Sequence, residues 1–347
     1  MNSTKSGRRS TRTVASVLLT VLLTSGITTA SAETTGLGQA PSLGSSVAPR
    51  TSAFGSDVST APLDSKSAAM VKNLAHQVTS RYDGVAAFNA YKYNVSLVPA
   101  DTERSADVRF SDCQGKGYTP KSLYGRDGHF ENVPIPADAV AASGSDAQLT
   151  VYSESTDQLW EFWKAKRTSS GWSACWGGRI DDVSKSDGHF DDGMGASASG
   201  LVLSQGAVRI SESRAGRIDH AIALTIPEIE HWKSWSYPAQ RSDGADRSWD
   251  AIPMGTRFRL DASVDVDSLG LHPVAEAVAR AAQKYGFIVS DTSGAVAVTA
   301  ASGNYLEART GTDPWKDVLA GTPSYAVMDG FPWERLQAIR KDWGAPR

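Results

Sequence analysis

"DHAIALTIP", residues 219–227, decides how the fold is read. Its apolar residues recur at every second position, the period of an extended strand. His220, Ile222, Leu224 and Ile226 share one face, and Asp219, Ala221, Ala223 and Thr225 share the other. The branched row should face a core, with Pro227 ending the strand. His220 stands in that inward row at the strand's leading edge. An imidazole titrates near neutral pH, so His220 is the first candidate for proton transfer. Asp219 points away from it, and the two neighbours form no dyad.

Working outward, segments such as "AQLTVYSE", "QLWEFWKAKR", "LVLSQGAVRI" and "TRFRLDASV" repeat the alternation between about residues 90 and 265. Gly, Pro, Asp and Ser clusters punctuate them at roughly ten-residue intervals, the spacing of short antiparallel strands. The predicted fold is mainly β: an antiparallel β-sandwich, jelly-roll-like, with a few short peripheral helices. One helix is predicted over 65–80, with Val71, Leu74, Ala75 and Val78 on one face. A second covers 273–286, opening at Pro273 and closing at Gly286. "FIVSD" (287–291) and "AVAVTA" (295–300) flank Thr292-Ser293-Gly294 and predict a hairpin. Residues 332–343 are expected to form a last helix.

At the N-terminus, Lys5, Arg8, Arg9 and Arg12 precede a short apolar run, Val14 to Ile27, and Ala30-Ser31-Ala32 offers a cleavage site. Residues 1–32 therefore predict a secretory signal peptide. Residues 33–60 are rich in Ser, Thr, Gly and Pro and predict a disordered spacer. Residues 61–347 are left as a single β-sandwich domain. The expected location is secreted and extracellular, with no membrane attachment after signal cleavage. The remaining chain is mildly acidic and carries no basic block, which argues against nucleic acid as a partner. In an exported chain the two cysteines, Cys113 and Cys175, predict a disulfide.

Trp carries the most functional content. Ten occur in the chain, four of them within "LWEFWKAKRTSSGWSACW", residues 159–176. On a strand, Trp160 and Phe162 face one side while Glu161 and Trp163 face the other. An indole beside a carboxylate suits a sugar ring, stacked on the aromatic plane with its hydroxyls held by hydrogen bonds. Asp146, Glu212 and Asp291 also border strand-like segments, and paired carboxylates would serve glycoside hydrolysis. The candidate catalytic residues are His220, Glu161 and Asp291; the candidate substrate contacts are Trp163, Trp172, Arg257, Tyr285 and Asp146. "SDGHFDDGMG" (186–195) offers carboxylates in a Gly-rich loop, but Ala198 stands where an EF-hand loop would close with Glu. It is read as a solvated acidic turn, and neither metal nor cofactor is expected. No nucleophile elbow, P-loop or zinc-peptidase motif occurs.

The ordered series "LWEFWKAKR…GWSACWGGRI", "GASASGL", "GRIDHAIALTIP", "YPAQRSDG", "IPMGTRFRLD" and "KYGFIVSDTSG" resembles a family of exported actinobacterial β-sandwich proteins, most of them without an assigned activity. The likeness spans about residues 120–300. It takes in Glu161, Trp163, Trp172, His220, Pro238, Arg257, Arg259, Tyr285 and Asp291. The resemblance implies a shared fold and export, and it implies no particular reaction.

Together these features point to an extracellular carbohydrate-active protein, expected as a monomer, whose partner is a polysaccharide or other glycan. Cleavage by hydrolysis or β-elimination is one reading. A non-catalytic glycan-binding module and a cell-surface structural protein are the others.

Overall fold

A computed structural model describes residues 48–90, 95–100 and 105–346. The predicted signal peptide and most of the predicted spacer lie outside the described residues. Thirteen strands are seen among the described residues. They are β1 (Ala87–Asn89), β2 (Ser96–Pro99), β3 (Val108–Phe110), β4 (Leu149–Ser153), β5 (Gln158–Trp163), β6 (Lys166–Thr168) and β7 (Gly171–Ala174). They continue with β8 (Trp176–Ile180), β9 (Ile222–Ile226), β10 (Arg257–Leu260), β11 (Phe287–Thr292), β12 (Ala297–Thr299) and β13 (Leu336–Ala338). The helices are short: α1 (Ser67–Thr79), α2 (Leu203–Gly206), α3 (Ile210–Ala215), α4 (Pro273–Lys284), α5 (Asn304–Thr310) and α6 (Trp315–Leu319).

The chain is sheet-rich, as its periodicity predicts, but its sheets are mixed. A six-stranded sheet runs β1-β12-β9-β11-β10-β13, a four-stranded one β2-β4-β5-β8, and a three-stranded one β3-β7-β6. Four pairings are parallel: β1 with β12, β9 with β11, β2 with β4, and β3 with β7. The expectation of a wholly antiparallel sandwich is therefore corrected.

β9 explains why. Its branched row, Ile222, Leu224 and Ile226, packs in one core with Met70 and Leu74 of α1 and with Val274 and Val278 of α4. Its small row, Ala221 and Ala223, is sealed on the opposite face by Phe54, Leu203, Tyr285 and Ile288. A strand buried on both faces belongs in the middle of a sheet under helical cover, a place where parallel pairing is common. The two smaller sheets share a separate core that takes Leu149, Val151 and Phe162 from one and Trp172 and Ala174 from the other.

Local predictions fare unevenly. α1 and α4 form as the spacing predicts, and α4 has Pro273 in its first turn with His272 Nδ1 accepting from the Val274 N–H at 3.2 Å. The hairpin predicted from 287–300 is not formed, because β9 lies between β11 and β12. The predicted last helix is a single 3-10 turn, Trp333–Arg335, followed by β13, whose Leu336 stands opposite Leu260 of β10. "LVLSQGAVRI" supplies α2 in place of a strand. The end of the supposed spacer is also structured. Phe54 and Val58 are fully buried, and the Ser52 hydroxyl bonds Gln205 Oε1 at 2.7 Å. Isolated anchors of this kind leave no periodic trace in sequence.

All of the described residues fall in one compact unit, Ala40–Arg347. None of their helices is long and apolar enough to cross a membrane.

Candidate functional site

A cavity of about 500 Å³ opens where the ends of β5, β8 and β11 meet two loops. Three residues singled out from sequence, Asp146, Trp163 and Asp291, line it together. Sequence reading missed Lys116, Trp176, Arg241 and Asp243, which also line it.

The aromatic wall comes from strand register. Trp163 ends β5 and Trp176 begins β8, and the antiparallel ladder sets them directly opposite each other. Cross-strand partners in such a ladder have their Cβ atoms about 5 Å apart on one face. The Trp163 Nε1–H donates to Asp146 Oδ1 at 2.9 Å, and the Trp176 Nε1–H donates to the Gly193 carbonyl at 3.1 Å. Both rings are thereby fixed in orientation. Lys116 Nζ lies 3.6 Å from the Trp176 ring centre, and Lys164 Nζ lies 4.5 Å from that of Trp163. The Cys113–Cys175 disulfide, with its Cα atoms 5.6 Å apart, ties the Gln114–Lys116 loop to the start of β8.

Asp291 reaches the cavity because β11 carries a bulge. Val289 pairs with Leu224, yet the next pair is Asp291 with Thr225, so Ser290 is the extra residue. Residues in register on parallel strands share a face. The slip therefore moves Asp291 off the helix-covered side of Leu224 and onto the side of Thr225, and Asp291 lines the cavity. Bulges re-aim side chains beside functional sites in this way. The Asp291 carboxylate accepts the Thr292 N–H at 2.8 Å and the Ala198 N–H at 3.1 Å. Desolvation first, and then the negative charges of Asp243 and Asp146, push its carboxyl up to about 7 against those bonds. The Thr292 hydroxyl donates to Asp243 Oδ1 at 2.7 Å, so one residue bridges the two acids.

Arg241 holds the facing loop. Its guanidinium donates to the Ala198 carbonyl at 3.1 Å, to Ser197 at 2.7 Å and to Gly195 at 3.4 Å, and it also bonds the Gly193 carbonyl. Gly195 has φ 93°, and a Cβ there would meet the Phe190 ring at 2.3 Å, so the loop requires glycine. Desolvation holds the Arg241 guanidinium below its usual range.

The remaining sequence candidates lie elsewhere. Glu161 is fully enclosed. It accepts Ser204 N–H at 2.8 Å, Ser204 Oγ–H at 2.7 Å and Leu203 N–H at 3.3 Å at the start of α2. Burial pushes it up to about 7, against the pull of those bonds. It caps a helix turn and does not border the groove expected beside Trp163. His220 is also enclosed. Its Nε2 meets Glu212 Oε2 at 3.2 Å and its Nδ1 meets the Ala221 carbonyl at 2.7 Å. Arg209 completes the group, 2.8 Å from Glu212. Burial raises the Glu212 carboxyl, but the charges of His220 and Arg209 outweigh it and leave Glu212 below its ordinary value. This is a structural network, because the inward row of β9 carries His220 into the interior.

Trp172 is likewise a core residue of β7, shared between the two smaller sheets. Arg257 is buried, donates to the Tyr285 carbonyl at 3.3 Å and faces the Trp343 ring at 5.3 Å. Desolvation brings it down to about 10. Tyr285 packs behind β9 with Phe54 and Ala221. With Glu161 and His220, these three leave the proposed site: each is sealed against a second layer that sequence alternation does not reveal. Among the described residues, no group of three or more His, Cys, Asp or Glu side chains is placed to hold a metal ion.

Comparison with protein-family models, curated proteins and solved structures finds no match to this chain.

Proposed function

We propose that this is an exported carbohydrate-active protein that takes a glycan into the Trp163–Trp176 cavity and hydrolyses a glycosidic bond there. The observation that carries the reading is Asp291: a carboxylic acid that keeps its proton on about half of the molecules near pH 7, in an open cavity beside a second carboxylate and two fixed indoles. A carboxyl tuned in this way is a suitable general acid, and its neighbour a base or nucleophile. Asp291 would give its proton to the glycosidic oxygen as the bond to the anomeric carbon breaks. A water would add to that carbon, its second proton passing to Asp243, which then returns it to Asp291 through solvent. One water is consumed and two hydroxyl groups result. Lys116 and Lys164, now lying over the indoles, would move aside and bond the sugar's hydroxyls. The two smaller sheets with their shared core are where we read the sandwich part of the fold.

The test is incubation of the purified chain with plant, algal and cell-wall polysaccharides. New reducing ends, abolished in Asp291→Asn, support the proposal, whereas absorbance of an unsaturated uronate would replace it with a lyase. Retention without turnover would reduce it to a binding module. Neither turnover nor binding on any of them would end the carbohydrate reading.

A further inference from the structure

The lobe between β9 and β10 holds three exposed indoles that the cavity does not use. Trp232 is 53% exposed, Trp235 40% and Trp249 70%. Most large apolar side chains in this chain are buried, so three open indoles on one lobe call for an occupant. They stand on two backbone runs laid side by side. Glu230 bridges to Asp246 and Trp235 to Met254, the Trp232 N–H donates to the Gly244 carbonyl at 2.8 Å, and the His231 N–H donates to the Asp246 carbonyl at 2.7 Å. Trp232 is propped as well: the His231 ring lies 5.4 Å from it at 35°, and Lys233 Nζ lies 5.2 Å from its centre. The rings are held on a framework, and the same segment continues into the cavity wall through Arg241 and Asp243.

We infer that this lobe is a docking platform for an uncharged polysaccharide chain, whose sugar rings stack on the indole planes. Three observations favour that occupant. The exposed aromatics of this lobe are all Trp, whose flat face suits a pyranose ring and whose N–H can reach a hydroxyl, whereas the exposed Tyr82, Tyr118 and Tyr325 lie outside it. The exposed aliphatic side chain Leu63 lies outside this lobe, whereas a surface that enters lipid brings Leu, Ile and Phe with its Trp. Charges of both signs are interleaved, with Glu228, Glu230, Asp243, Asp246 and Asp250 among Lys233, Arg241 and Arg247 and with Glu228 paired to Arg81, so no strongly basic field selects a polyanion. The platform stands independently of any reaction in the cavity.

Sedimentation of the purified chain with microcrystalline cellulose and with chitin tests it. The chain should pellet with at least one of them, and Trp232→Ala/Trp249→Ala should bind at least tenfold more weakly with an unchanged melting temperature. Asp291→Asn should pellet as the parent does, which separates this site from the cavity. Oxidation by N-bromosuccinimide, mapped by mass spectrometry, needs no variant: Trp232 and Trp249 should be modified in the free chain and protected on the polysaccharide. A parent chain left in the supernatant with both polymers, or a double variant that binds undiminished, overturns the platform. Trp-dependent pelleting with phosphatidylcholine–phosphatidylglycerol vesicles in place of polysaccharide overturns it in favour of a membrane surface.

Discussion

Glu161 and Asp291 are both acids that burial pushes up to about 7, and they sit in opposite settings. Glu161 is sealed under α2, and its hydrogen-bond donors are Ser204 and Leu203. Asp291 keeps part of its surface open to a cavity, beside Asp243 and the two indoles. A raised proton affinity therefore does not by itself mark a catalytic group, since burial produces the same shift in a structural carboxyl. Access to a substrate-sized space distinguishes the two.

The largest expected effect separates them directly. Asp291→Asn removes the proposed proton donor and should lower kcat by about 100-fold or more. Glu161→Gln should leave kcat within a few-fold of the parent. Assays of both variants on whichever polysaccharide the parent cleaves decide it, and a Glu161→Gln loss equal to that of Asp291→Asn would erase the distinction.

Stability should show the reverse order. Glu161→Ala leaves the Ser204 and Leu203 N–H groups without their acceptor and opens a void in β5, at a cost of about 3 kcal/mol. Asp291→Ala also frees the Ala198 and Thr292 N–H groups, but beside an open cavity where water can replace the acceptor, so it should cost less, about 1 kcal/mol. Thermal unfolding at pH 7.5 compares them.

How much of this contrast was legible beforehand depends on the residue. Alternation identified β4, β5, β9 and β10, and the 3.6-residue period with its Pro and Gly stops identified α1 and α4. Periodicity also set Glu161 and Trp163 on the same side of β5, yet not what covers that side. α2 lies over Glu161 and empty space lies before Trp163, a difference made by residues about forty positions away. Asp291 was reachable as an acid at a strand end, but the bulge at Ser290 that aims it was not. Trp176 could be read only with the register of β5 on β8, and β6 and β7, which leave for another sheet, hide that register. Arg241 and Asp243 belong to a long loop with no periodic signal.

The pH dependence of folding should carry both groups. Each has a native pKa above its unfolded value, so the folded chain keeps a proton that the unfolded chain releases. The stabilisation is complete below about pH 4 and is lost as pH rises toward 7. For fully buried Glu161, a rise from 4.5 to about 7 corresponds to roughly 3 kcal/mol across that window. Glu212, held below its ordinary value, works in the opposite sense and weakens the fold as acid protonates it. Denaturation at pH 5 and pH 8 should show the parent losing stability on the alkaline side and Glu161→Gln losing clearly less. Equal losses would mean that Glu161 is not the group retaining the proton.

The smallest effect sharpens the cavity side of the comparison. Trp163→Phe keeps an aromatic face but deletes the Nε1–H bond to Asp146, 2.9 Å long in the parent. Asp146 is one of the charges that raise Asp291, so freeing it to turn toward solvent should weaken that influence. The alkaline limb of the kcat/KM profile, set by protonated Asp291 and so falling near pH 7, should then move to lower pH by a fraction of a unit. KM should rise a few-fold from the looser ring, about 1 kcal/mol in binding. A change in KM with the limb unmoved would leave Trp163 as a sugar contact only and place the tuning of Asp291 in Asp243 and desolvation alone.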